Sequence, residues 1–150
     1  MEWKIKKFDE LSNRELYDIM QQRVDVFVVE QNCVYAEIDG KDIDAYHLFA
    51  TDDDKVIAYT RILLPGVSFD EVSIGRVLVN MGYRGEGLGQ ELMKKTMEFV
   101  TKDLKEKSIR ISAQEYLLEF YLSLGFEEAS DIYIEDGIPH IDMLFTKSEQ

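Results

Sequence analysis

The stretch "VSIGRVLVNMGYRGEGLGQELMKKTMEFV", Val72 to Val100, decides the fold. Its opening run "VSIGRVLVN" is apolar on both alternating faces, the pattern of a strand covered on two sides and therefore central in its sheet. From Gly87 to about Lys102, Leu88, Leu92, Met93, Met97 and Val100 recur at helical spacing and form one apolar face. Between the two lies "YRGEGLG", Tyr83 to Gly89, with three glycines in five residues. Glycine costs roughly 0.5–1 kcal/mol relative to alanine inside regular structure, so three at a helix start answer a geometric demand. A helix that begins directly after a buried strand offers unpaired N–H groups and the positive end of its dipole to an anion, and glycine lets the anion come close. Two phosphate loops fail here: Gly89 is followed by Gln90 and Glu91 where the P-loop needs Lys and Ser/Thr, and the spacing of Gly85, Gly87 and Gly89 is not the dinucleotide fingerprint. A purely structural tight turn remains the alternative.

Working outward, "WKIKKF" near the N-terminus alternates as an edge strand does. "SNRELYDIMQQRVDVF" opens with Ser12 and Glu15 in capping-box spacing and carries Leu16, Ile19, Met20, Val24 and Phe27 on one helical stripe. "AYHLFATDDDKVIAYTRILLPG" reads as a hairpin around Asp52-Asp53-Asp54-Lys55, closed by Pro65-Gly66. Past the glycine helix come a strand in "KSIRISA", a helix in "YLLEFYLSLG" ended by Gly125, and a last hairpin in "SDIYIEDGIPHIDMLF". The order β-α-β-β-β-α-β-α-β-β predicts an α/β protein, a mixed sheet flanked by helices, with a parallel crossover from the 72–79 strand to the 108–113 strand at its centre.

Composition bounds the function. The 150 residues, 45% hydrophobic, suffice for one well-packed core, and residues 1–150 read as a single domain. The apolar runs are far below the roughly 20 residues a membrane span needs, and the N-terminus carries no apolar signal region, so neither membrane insertion nor export is expected. One cysteine, Cys33, fits a reducing cytoplasm and offers no thiolate metal site. A net charge of −13, from 17 basic and 30 acidic residues, argues against nucleic acid and suits a cationic small molecule or basic peptide. Arg23 interrupts an apolar helix face and Arg76 lies inside a central strand; each predicts an acidic partner or an anion, because a buried charge must be paired.

Arg84-Gly85-Glu86-Gly87-Leu88-Gly89 resembles the "Q/R-x-x-G-x-G/A" motif of the GNAT superfamily of N-acetyltransferases, and it stands in the family's place between the fourth strand and the following helix. The element order is similar to that fold over nearly the whole chain. "VFVVEQNC", "IGRVLV" and "EDGIPHIDM" look like the ElaA-like branch. The resemblance implies acetyl-coenzyme A as the acyl donor. Its pyrophosphate would be held by the backbone of Arg84, Gly85, Glu86, Gly87, Leu88 and Gly89, with Lys94 or Lys95 near the ribose phosphate. The family's fourth strand bulges and splays from the fifth, which implies that the backbone of Val77, Leu78 and Val79 meets the pantetheine arm and the thioester, their side chains being core.

The implied chemistry is direct attack of a neutral amine on the thioester. A lysine-like amine, with pKa near 10.4, is neutral in only about one molecule in 2,000 at pH 7, so a general base or a desolvating path is needed. The glutamate that serves as base on the fourth strand in some relatives falls at Ser73 here, and Glu71 lies two residues earlier on the same face. Glu30, His47 and His140 are the other candidates, each with a structural alternative: a solvated carboxylate, a strand histidine with a satisfied hydrogen bond, a hairpin residue. Tyr121, in "FYLSLGF", occupies the place of the family's thiolate partner, with core packing beside Leu117 and Leu124 as its alternative. The acceptor remains open among small amines and protein lysines, and many relatives dimerise. A non-catalytic acyl-coenzyme A sensor is the second reading. Acyl-homoserine lactone synthase chemistry is a third, on an "R-x-x-V-F" match at Arg23, Val26 and Phe27.

Overall fold

The computed structural model describes residues 1–148. One mixed sheet of eight strands runs through it: β1 (Glu2–Lys7), β2 (Tyr46–Asp52), β3 (Lys55–Leu63), β4 (Val72–Val79), β5 (Ser108–Gln114), β6 (Glu127–Glu128), β7 (Tyr133–Glu135) and β8 (Ile138–Thr146). The path across the sheet is β1-β2-β3-β4-β5-β8-β6, with β7 also on β8, so β1 is an edge and β4 is central as their sequences predict. Every pairing is antiparallel except β4 with β5, the two strands joined by the glycine loop and its helix. Helices α1 (Asn13–Val24), α2 (Leu88–Glu98) and α3 (Leu118–Ser123) flank the sheet.

Local chemistry explains each boundary. Ser12 Oγ accepts from the Glu15 N–H at 3.1 Å while Glu15 Oε1 accepts from the Ser12 N–H at 2.8 Å, so α1 starts on a complete capping box. Asp53 and Asp54 both take positive φ (51° and 62°), the backbone of a two-residue hairpin loop whose twist matches its strands. The helices depart from the sequence reading at their ends. Past α1 the chain widens into a π-turn over Asp25–Glu30, α2 does the same over Phe99–Asp103, and α3 is preceded by a 3-10 turn, Glu115–Leu117. β6, two residues long, carries too little pattern to be seen in advance.

Two apolar clusters hold the sheet. Leu88, Leu92, Met93, Met97 and Val100 from the α2 region meet strand residues such as Ile62, Val72, Ile109 and Met143 together with Tyr121 and Phe126. Ile19 of α1 meets Phe49, Val56, Tyr59 and Leu78 in the smaller one. Of the stripe predicted for α1, only Ile19 is fully buried; the other fully buried residue of that helix is Arg23. The reason lies in what α1 covers: beyond Ile19 its inner face meets a polar cluster and an open cleft rather than more core.

Candidate active site

Strands β4 and β5 pair only at Val72–Ile109 and Ser73–Arg110, and then diverge. Just beyond the last pair, the register of β4 against β3 slips between Tyr59–Leu78 and Arg61–Gly75, and Arg76 takes φ +52°. An extra residue in one strand bends it and raises its twist, which turns β4 away from its parallel neighbour. The divergence opens a cavity of about 1080 Å³, lined by Val77, Leu78 and Val79 on one side and by Ile111 to Gln114 on the other. Leu78 is buried in the smaller cluster, Val77 and Val79 are half-buried and pack against the larger one, and all three border the cavity.

At the end of β4 stands the glycine loop. Gly87 has φ +78° and is the cap of α2; Gly85 has φ +88°. A Cβ at either position would meet nothing within 4 Å, so their lack of side chains clears open space above the helix N-terminus. Of Arg84 to Gly89, Arg84 lines the large cavity, and Gly87 borders a hollow of about 360 Å³ with Lys94 and Lys95. Lys95 lies 5.3 Å over the Trp3 ring. Arg84 donates through Nε to the Val79 carbonyl at 2.9 Å and pairs bidentately with Glu30 at 2.9 and 3.0 Å.

The candidate bases separate clearly. Glu71 does not line the cavity and lies 3.9 Å from Arg110, so the face it shares with Ser73 on paper does not bring it to the cleft. Glu30 lines the cavity but is committed to Arg84. His47 is fully buried between Tyr59 Oη (2.6 Å) and the Asp42 carbonyl (2.9 Å), and burial depresses its pKa. His140 is 9% exposed and lines the cavity; its Nδ1 is 2.7 Å from the Ile138 carbonyl, which fixes the proton there and leaves Nε2 as the basic nitrogen. Glu135 lies 3.7 Å from that Nε2.

Tyr121 lies on α3, 6% exposed, in edge contact with Phe120 and Phe126, and it too lines the cavity. Its hydroxyl has no hydrogen-bond partner among the described residues. Burial, with a smaller contribution from Tyr116, raises its pKa.

Residues that sequence reasoning missed close the cleft. Gln31 and Gln114 exchange amide hydrogen bonds (3.2 and 3.4 Å) across it, and the Cys33 thiol donates to the Asp136 carbonyl at 3.1 Å. Tyr133 donates to Asp142 at 2.6 Å and also touches Ser112, while Arg110 donates to the same Asp142 at 2.9 Å. At the far wall, the segment 35–42 supplies acids for the buried Arg23 and Arg61 and the half-buried Arg76. Arg23 pairs with Glu37 (2.7 Å) and Asp42 (2.6 Å), Arg61 with Asp39 (2.8 Å) and Asp42 (3.1 Å), and Arg76 with Glu37 (2.9 Å). The one signal for this in the sequence is the acid-dense "EIDGKDID" itself. Among the described residues no His, Cys, Asp and Glu cluster is arranged to hold a metal, and no helix is long and apolar enough to cross a membrane.

This geometry agrees with what the chain is similar to. The profile of the GNAT acetyltransferase domain matches residues 15–147. Protein ElaA of Escherichia coli (strain K12) is 45% identical over 145 residues, 95% of each chain, and its crystal structure superposes with a TM-score of 0.89 over 97% of this chain and 99% of that one. The crystal structure of an acyl-CoA N-acyltransferase from Pseudomonas aeruginosa gives a TM-score of 0.91 at 38% identity, covering 97% of this chain and all of that one. An aminoglycoside 6'-N-acetyltransferase complexed with coenzyme A shares the fold at 12% identity, with a TM-score of 0.75 over 98% of both chains. With a profile match over nearly its whole length and relatives aligned almost end to end, the chain belongs to the GNAT acetyltransferase family, in its ElaA-like branch.

Proposed function

We propose that residues 1–150 form one catalytic domain that transfers the acetyl group of acetyl-coenzyme A directly to a primary amine, carried by a small molecule or a basic peptide. The observation that carries this reading is the split between β4 and β5, which leads into open space above the α2 N-terminus. A site for a diphosphate joined to an extended amide arm needs both features in line. The helix N-terminus and the Arg84–Gly89 backbone would receive the pyrophosphate, and the diverging edge of β4 at Val77 and Leu78 would receive the pantetheine arm. Val79 has its carbonyl engaged by Arg84, which leaves less of its backbone for the arm.

Acetyl-coenzyme A would supply the activated thioester when bound. The amine attacks the carbonyl carbon, the C–N bond forms, the C–S bond breaks, and the amine must lose one proton while the thiolate gains one. We assign the first proton to His140 at Nε2, a reading supported by its Nδ1 contact with the Ile138 carbonyl and its position in the cavity lining. Tyr121, which lines the same cavity with an uncommitted hydroxyl, would meet the thiolate. A phenol of ordinary pKa protonating a thiolate is uphill by roughly 2 kcal/mol, and burial makes this phenol a weaker acid still, so its main contribution is the hydrogen bond that stabilises the leaving sulfur.

Calorimetric titration of acetyl-coenzyme A into the wild type and Gly87→Asp tests the reading, with thiol release measured across a panel of primary amines. Aspartate is among the residues that tolerate positive φ best, and a circular dichroism spectrum matching the wild type checks that the variant folds; its carboxylate sets a negative charge where the pyrophosphate would lie. The expected result is binding by the wild type, weakened at least a hundredfold in the variant, with thiol release for some amine. Equal binding by both proteins sinks the assignment of the loop, and binding without thiol release from any amine favours the sensor.

A further inference from the structure

Arg76 occupies the most costly backbone position in β4. An L-residue with a long side chain at φ +52° crowds its own backbone, and Gly75, which escapes that penalty, stands one residue away in ordinary register with Arg61. Such a conformation persists only where the surroundings over-determine it. Here they do so through the side chain. The Arg76 Nε donates to Glu37 Oε2 at 2.9 Å, a terminal nitrogen lies 3.5 Å from Asp39, and the guanidinium sits 5.7 Å over the Tyr35 ring. Glu37 is itself buried, 4% exposed, and Arg23 donates to its carboxylate at 2.7 Å and to its backbone carbonyl at 3.2 Å.

We infer that Arg76 is a positioning residue whose anchorage to Glu37 holds the β4 bulge, and so aims the backbone of Val77 and Leu78 into the cleft where the thioester carbonyl would lie. This rests on the acetyl-coenzyme A reading above and assigns a cause to the geometry that reading uses. The bulge, where β4 leaves its register with β3, follows the last β4–β5 pair at Ser73–Arg110, so whatever sets the Arg76 dihedral sets the direction of the next two peptide groups along the split. A side chain pinned to the opposite wall does this from outside the strand. It also couples that wall, segment 35–39, to the reacting end of the cleft.

The test uses Arg76→Gly and Arg76→Asn, both of which accept positive φ and neither of which reaches Glu37. Amide hydrogen exchange across residues 74–79 in the free protein should accelerate at least tenfold in both variants while exchange in β2 and α2 stays at the wild-type rate. Unchanged exchange at 74–79 overturns the clamp whether or not any cofactor binds. With acetyl-coenzyme A labelled at the thioester carbonyl, the variants should keep affinity within about threefold, yet the carbonyl stretching band should return toward its value in water. A merely stabilising side chain lowers the melting temperature and leaves that band where the wild type has it, which would also overturn the proposal. If the wild type itself binds no acetyl-coenzyme A, the functional reading fails while the exchange measurement still decides the clamp.

Discussion

At the scale of single residues, the site turns on what each titratable group is already bonded to. Glu30, Glu71, His47 and His140 are equivalent as entries in a list of possible bases, and their partners separate them. Arg84 holds Glu30, Arg110 lies beside Glu71, two hydrogen bonds saturate His47, and His140, which lines the cavity, has Nδ1 engaged by Ile138 and Nε2 3.7 Å from Glu135 with no hydrogen bond among the described residues. Tyr121 keeps its hydroxyl free by the same reasoning. Tyr121→Phe removes one oxygen and little packing, so kcat should fall at least tenfold while acetyl-coenzyme A affinity changes less than threefold. Equal kcat for the two proteins in a steady-state assay removes the role. None of this was legible in the sequence beyond the names of the candidates, because hydrogen-bond partners such as Glu30 and Arg84 lie 54 residues apart.

Among the elements, α1 shows how local signals and long-range contacts combine. Its capping box was readable from Ser12 and Glu15, but Glu15 also accepts from Lys4 at 3.1 Å and Lys6 at 2.9 Å, tying the helix start to edge strand β1. Burial alone would raise the Glu15 pKa; the Ser12 N–H and the two lysines outweigh it and lower it to about 2. A carboxylate depressed on folding contributes stability that is present above its unfolded pKa, near 4.5, and is lost as pH falls through its folded value. The melting-temperature gap between wild type and Glu15→Gln should therefore be largest above about pH 5 and close as pH falls toward 2. A gap that stays constant from pH 7 to 2 contradicts the linkage. The π-turn beyond α1 has no comparable local signal: "DVFVVE" is a helical pattern in sequence, and its widening brings Glu30 and Gln31 to the cleft only because Arg84 and Gln114 stand opposite.

The whole molecule is organised around a split sheet with a charged wall. Arg23 is fully buried, and its removal leaves Glu37 and Asp42, each about 4% exposed, without their main counter-charge. Breaking a buried pair costs about 3–5 kcal/mol, so Arg23→Met should lower the unfolding free energy by about that much in urea titrations. A loss below about 1 kcal/mol means that the remaining arginines, Arg61 and Arg76, take over both acids. By itself the sequence determined the element order apart from the two-residue β6, the central place of β4, the glycine loop at a helix start, the family and the need for acids near Arg23 and Arg76. These follow from periodicity, capping and desolvation, which act within a few residues or on one side chain at a time. Only the tertiary structure decided which candidate bases line the cleft, which acids answer the arginines and how far β4 parts from β5. Those outcomes depend on a single bulge and on contacts between distant segments, and the direction a strand takes past a bulge is set by what its side chains meet across the fold.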